Sequence, residues 1–160
     1  MHSTHNTLPM LIREKSVNIL NLHLAAAIDL HGQMKQAHWN VRGPGFIAVH
    51  ELFDRISAEV EMWSDQLAER AGGLGATAQG TVQIAAANSF MVPYPLGIAD
   101  VQKHIFAVAA ALAAFGQSVR NAIDVIAKSG DADTADLCTE ISRAVDKQLW
   151  FVEAHTMPKE

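Results

Sequence analysis

The sequence has a single cysteine, Cys138, so no disulfide can form within the chain and a reducing compartment is its simplest home. Proline is also scarce, with five in 160 residues, and all five fall outside the long uninterrupted segments described below. Aromatic residues make up only 6% of the chain, which thins out one class of strand formers, while alanine is abundant; both lean toward helix. Cations are outnumbered: 12 Lys and Arg face 17 Asp and Glu, for a net charge of -5 with eight histidines counted neutral. That balance argues against a general attraction to DNA or to an anionic membrane. The most apolar stretch, residues 20–30, is broken by His23 and Asp29 and is too short and polar to span a bilayer. Residues 1–9 are polar and His-rich and lack a basic stretch followed by an apolar one, so they do not resemble a signal peptide. A cytoplasmic protein is expected.

The chain length suits one domain with a sizeable core. Its punctuation is sparse: Gly43-Pro44-Gly45, then Gly72 onward to Pro93, Pro95 and Gly97, then Gly130 to Asp133. Between the breaks, helices are predicted over residues 10–41, 46–71, 98–128 and 134–156, with Asp133 as the N-cap of the last. In the second, Phe46, Val49, Phe53, Ile56, Val60, Trp63 and Leu67 recur every three or four residues, the spacing of one apolar helical face. The fourth repeats Leu137, Ile141, Val145, Leu149 and Val152 in the same way. The expected architecture is all-α: a four-helix bundle over residues 11–156, flanked by short tails at 1–10 and 157–160. The short first and third links make antiparallel hairpins. The long second link can run the length of the bundle, with a short extra helix at about residues 81–88.

The second helix carries a polar stripe. With His50 set at zero and 100° per residue, Asp54 falls at about 40°, Asp65 at about 60° and Glu69 at about 100°. His50/Asp54 and Asp65/Glu69 are each i,i+4 pairs, able to offer two ligands from one face. Asp54 and Asp65 lie roughly 16 Å apart along the axis, whereas metal–ligand bonds are about 2 Å. The two pairs therefore cannot serve one ion within one chain. Two arrangements remain: each pair builds its own site with other helices, or two copies of this helix cross about a two-fold axis and join the pairs. His38, at the end of the first helix, is brought beside His50 and Asp54 by the hairpin, and His31 lies seven residues earlier on nearly the same face. Imidazole with carboxylate suits Fe(II), Mn(II) or Zn(II) and lacks the thiolates of a structural zinc site. An acidic stripe is more commonly a solvated face, and His23, His31, His104 and His155 are individually better explained as structural or exposed residues.

At these residues the chain resembles a known family. Lys35-Gln36-Ala37-His38-Trp39-Asn40-Val41-Arg42-Gly43 is similar to the signature of the DNA-binding proteins from starved cells, the Dps mini-ferritins. So is Phe46-Ile47-Ala48-Val49-His50-Glu51 followed by Asp54, then by Asp65, Ala68, Glu69 and Arg70. Tyr94-Pro95-Leu96, Asp133-Thr134-Ala135-Asp136 and the run from Asp146 to Trp150 continue the likeness over nearly the whole chain. The resemblance implies a ferritin-like bundle assembled into a homo-oligomeric shell of twelve subunits. It implies ferroxidase sites between subunits, with His38, His50 and Asp54 from one chain and Asp65 and Glu69 from its partner. It implies two irons per site, with zinc as a substitute, oxidation of Fe(II) preferentially by hydrogen peroxide, storage of ferric mineral, and protection of DNA and cell from oxidative stress. The Glu-x-x-His pair used inside single subunits of larger ferritins occurs nowhere here.

Secondary expectations attach to other residues. Trp39 and Trp63 are candidate radical traps, with interface packing as the more ordinary use. Asp124, Asp131, Asp133, Asp136 and Glu140 are expected to be mostly solvated, with acidic pores as the family alternative. Glu51 and Glu61 are candidates for mineral nucleation. Residues 1–11 contain no Lys or Arg, so the basic tail that condenses DNA in this family is missing and direct DNA binding is disfavoured. A nucleoid-associated DNA-binding protein with secondary iron chemistry is the alternative.

Overall fold

The structure, a computed structural model, describes residues 1–156; the C-terminal tail expected at 157–160 lies outside the described residues. Five helices follow one another: α1 (Met10–Asn40), α2 (Phe46–Gly73), α3 (Val82–Asn88), α4 (Val101–Ser129) and α5 (Ala132–Glu153). The described residues form no strand, only an isolated bridge between Arg42 and Asp100. The four long helices are the predicted ones with ends shifted by up to three residues, and α3 is the short helix expected in the long link. α1 packs mainly on α2 and α4 mainly on α5, and α3 lies on α1.

The apolar stripes meet in one core. Leu20, Leu30 and Met34 of α1 face Phe53 and Ile56 of α2, with Ile105, Leu112 and Phe115 of α4 and Ile141 of α5, all essentially without exposure. Burial of a Phe or Leu side chain of this kind contributes about 1.5–3 kcal/mol. α4 rather than residues 20–30 is the most apolar long segment, and by length and composition it is apolar enough to cross a membrane. Its apolar side chains are used instead against α5 and α1 within the bundle. Gly116 allows α4 to approach α5 closely, since a Cβ there would lie 2.9 Å from Cγ1 of Val145. Gly130 closes α4 in the left-handed conformation at φ 98°, which favours glycine.

Buried polar residues fix how the elements join. Asp131, not Asp133, caps α5: its carboxylate accepts the Thr134 N–H at 3.1 Å and the Thr134 hydroxyl, and Arg70 of α2 donates to it at 2.8 Å. Arg70 Nε also donates to the Thr134 hydroxyl oxygen at 2.8 Å. The expectation of a solvated acidic loop is thus corrected at Asp131, which is fully buried as the joint between α2 and α5. Burial pushes its carboxyl up, but the Thr134 hydrogen bonds and the Arg70 charge outweigh that and hold it below the ordinary 3.8. In the core, His23 of α1 donates from Nδ1 to the Ile19 carbonyl and accepts the Ser118 hydroxyl of α4 at Nε2. Desolvation holds its pKa below the ordinary 6.5.

The long link is stitched down at both ends. Ser89 donates to Asp29 at 2.6 Å, and Gln33 donates to the Val92 carbonyl at 3.1 Å. At the far end, His104 Nε2 donates to the Ile98 carbonyl, so its Nδ1 accepts the Tyr94 hydroxyl at 2.7 Å. The Arg42 N–H donates to the Ala99 carbonyl at 2.7 Å, tying the end of the link to the α1–α2 turn.

Two outcomes are expected for stability. His23, with its depressed folded pKa, contributes stability that is present above 6.5 and lost as pH falls below it; Asp131 contributes stability present above 3.8 and lost below it. Chemical denaturation from pH 7 to 3 should show both losses, with His23→Gln removing the earlier one and Asp131→Asn the later one. Gly116→Leu should cost about 1–3 kcal/mol by overpacking against Val145, read as a lowered thermal midpoint with an unchanged helix signal.

Candidate metal centre

The α1–α2 hairpin brings the last turn of α1 against the first turns of α2. There His38 and His50 lock each other: His38 Nδ1 lies 2.8 Å from the His50 carbonyl oxygen, and His50 Nδ1 lies 2.8 Å from the His38 carbonyl oxygen. A carbonyl only accepts, so both Nδ1 atoms carry the proton and both Nε2 atoms keep a lone pair. The rings stack at 3.7 Å with an interplanar angle of 20°. Phe46 packs on His50 at 4.9 Å from the other direction. A backbone carbonyl that orients one imidazole nitrogen and leaves the other free is the usual support of a metal-binding histidine.

Asp54 lies one turn beyond His50 on α2, with Oδ1 3.9 Å from His38 Nε2. It is not free: Lys35 of α1 donates to the same oxygen at 2.5 Å. The Lys35 hydrogen bond and charge, acting against a small effect of burial, hold the Asp54 carboxyl below the ordinary 3.8. Lys35 also lies over the exposed Trp39 ring, 5.7 Å from its centroid. Lys35 is a neighbour of Asp54 that sequence reasoning did not single out. Its place three residues before His38, on the same face of α1, was the available signal.

Asp65 and Glu69 are exposed and belong to the same helix as Asp54, roughly 16 Å further along for Asp65. Neither makes a hydrogen bond or ion pair among the described residues. Those residues contain no group of three or more His, Cys, Asp or Glu side chains arranged to hold a metal ion. One chain makes His38 a neighbour of both His50 and Asp54, short of an arrangement that holds a metal, and leaves the other two candidates apart. Two imidazole nitrogens and an ionised carboxylate are donors suited to a divalent first-row metal, and a half-site of this kind needs further oxygen ligands to close it.

The remaining candidates separate by environment. His31 is half-buried, bonded through Nδ1 to the Ser57 carbonyl at 3.1 Å, and borders a cavity of about 600 Å³ with Tyr94 and Leu96. His104 is a buried structural residue, and exposed His155 bonds only within α5. Trp63 is buried in the core and stacks on Phe115 at 6.2 Å, so it serves neither as an interface residue nor as an exposed radical trap. Trp39 is 67% exposed beside the half-site. Glu51 and Glu61 are exposed.

Comparison with known proteins places the fold. The ferritin-like domain family model matches residues 17–157. A DNA protection during starvation protein of Agrobacterium fabrum is 41% identical over 158 residues, covering 99% of this chain and 98% of the relative. Among solved structures, the tetragonal form of Mycobacterium smegmatis Dps superposes with a TM-score of 0.92 at 29% identity, covering 98% of this chain and 95% of that one. Dps from Microbacterium arborescens in its high iron form superposes with a TM-score of 0.85 at 34% identity, covering 93% and 96%. With this all-helical bundle and its stitched crossover, the chain belongs to the Dps family of ferritin-like proteins.

Proposed function

We propose that this protein is a cytoplasmic ferroxidase and iron-storage protein whose Fe(II) site is completed between two copies of the chain. The reciprocal His38–His50 lock carries this reading, because it commits both Nδ1 atoms to backbone carbonyls, leaves both Nε2 atoms free, and sets His38 Nε2 3.9 Å from Asp54. Asp65 and Glu69 of a second copy would supply the missing oxygens. A two-fold crossing of α2 on its copy would form two such sites per pair, since an isologous contact repeats itself. Trp39, Phe46, Ile47 and Met62, all apolar and exposed on this side of the hairpin or along α2, are surfaces such a pairing would cover. The high iron form of the Microbacterium relative supports iron as the metal, and a shell of twelve subunits is the assembly the family suggests.

The chemistry follows from the donor set. The imidazoles bind Fe(II) as neutral ligands, and the carboxylates offset the added charge of Fe(III). Two Fe(II) at one site deliver both electrons that one hydrogen peroxide requires, with two protons taken up and two waters formed, so no hydroxyl radical is released. Ferric ions then pass to a mineral. Zinc would occupy the same ligands without redox chemistry. Protection of DNA would follow from removal of iron and peroxide.

Two experiments test this reading. His38→Ala alone and Asp65→Ala/Glu69→Ala alone should each lose most of the rate of Fe(II) oxidation by peroxide. Co-expressed in equal amounts, they should regain about a quarter of the wild-type rate, because about half of random pairs are mixed and each mixed pair keeps one intact site of two. Activity that stays at the level of the single variants would mean that the site is not shared between chains. Gel shifts with duplex DNA at neutral pH and physiological salt should show little binding, as residues 1–11 contain no Lys or Arg; a stable complex under those conditions would favour the nucleoid-binding alternative.

A further inference from the structure

We propose that Lys35 is a built-in counter-cation of the half-site, which competes with the incoming metal ion for Asp54 and keeps its contact with the Trp39 ring when displaced. The inference rests on the reading of His38, His50 and Asp54 as metal ligands and concerns how that site is loaded.

Three observations carry it. Lys35 and His38 both approach the same oxygen of Asp54, at 2.5 Å for the ammonium and 3.9 Å for Nε2. A metal ion bound by His38 and Asp54 would have to take that oxygen from the ammonium, because the two cations cannot share it without strong repulsion. The His38 and His50 rings are already fixed by backbone carbonyls, so Asp54 is the one donor of the three whose partner must change. Finally, the ammonium already has a second partner while it is paired with Asp54, and that partner remains when the carboxylate is taken. Trp39 is the i+4 neighbour of Lys35 on α1, and Nζ lies 5.7 Å from its ring centroid, inside the range of a cation–π contact. The indole is exposed, so the contact is modest.

The arrangement has two consequences. Lys35 gives Asp54 a partner and holds its Oδ1 3.9 Å from His38 Nε2 when no metal is bound. It also sets a threshold for loading: a monovalent cation or a weakly held divalent ion does not displace a 2.5 Å ion pair as readily as an ion that gains two imidazoles with the carboxylate. Because the Lys35 and Asp54 side chains remain 25% and 54% exposed, the threshold is small and sensitive to salt.

The test is equilibrium binding of Co(II) to the assembled full-length protein, read by its visible absorption, which needs no turnover. Lys35→Gln should bind Co(II) about two- to fivefold more tightly than wild type at low salt, and the gap should close at high salt as screening weakens the ion pair in the wild type. Lys35→Arg, which retains the charge and can hold both carboxylate oxygens, should bind no more tightly than wild type. In an Asp54→Asn background, Lys35→Gln should change the affinity by less than twofold. An equal gain with and without Asp54 would mean that Lys35 merely repels the metal through space, and would overturn the competition. If Co(II) binding is abolished by His38→Ala yet unchanged by Lys35→Gln, the site stands and the Lys35 inference falls. If His38→Ala leaves Co(II) binding intact, the site assignment falls and the inference falls with it.

Discussion

The rings of His38 and His50 each give their one N–H to the backbone carbonyl of the other residue. That exchange ties the last turn of α1 to the first turns of α2, and it forces both imidazoles into the same tautomer. Side-chain chemistry and backbone position are therefore a single constraint: if the hairpin shifted by one residue, both hydrogen bonds would be lost and His38 Nε2 would leave Asp54. The bundle around the hairpin can be understood as what keeps that register. The apolar faces of α1 and α2 interlock through Leu30, Met34, Phe53 and Ile56, and a core at this density does not slide.

The long crossover has a supporting part in the same constraint. Its far end is held by Tyr94, His104 and the Arg42–Ala99 hydrogen bond, all next to the turn that follows His38. At the opposite end of α2, Arg70 is held by buried Asp131 and Thr134, immediately after Glu69. Both halves of the α2 stripe are thus anchored by buried polar contacts to a neighbouring element, while Asp54, Asp65 and Glu69 stay exposed. Buried charges are expensive unless fully bonded, and Asp131 meets that condition with Arg70, the Thr134 hydroxyl and the Thr134 N–H.

Much of the fold was legible in the sequence because its signals are local and periodic. The absence of proline inside 46–71 and the recurrence from Phe46 to Leu67 predict α2, and the structure extends it only to Gly73. Capping was less legible. Asp131 and Asp133 both precede Thr134, and only the approach of Arg70 from another helix selects Asp131. The same holds for Trp63 and Trp39: identical residue types on amphipathic helices, of which one is buried against Phe115 and the other lies open beside Lys35. Asp65 and Glu69 were singled out by spacing, and a single chain gives them no partner among the described residues.

The sequence by itself determined that this is an all-helical bundle with an imidazole–carboxylate stripe, and that His50/Asp54 and Asp65/Glu69 lie too far apart on one helix to share a metal ion within one chain. Helical rise and residue identity are properties of the chain alone, so they could be read before any packing was known. Only the tertiary structure decided the histidine tautomers, the burial of Asp131 and the pairing of Lys35 with Asp54. Each of these depends on which atom of one helix meets which atom of another, at separations of 2.5–3.1 Å that no spacing rule along a single chain can fix.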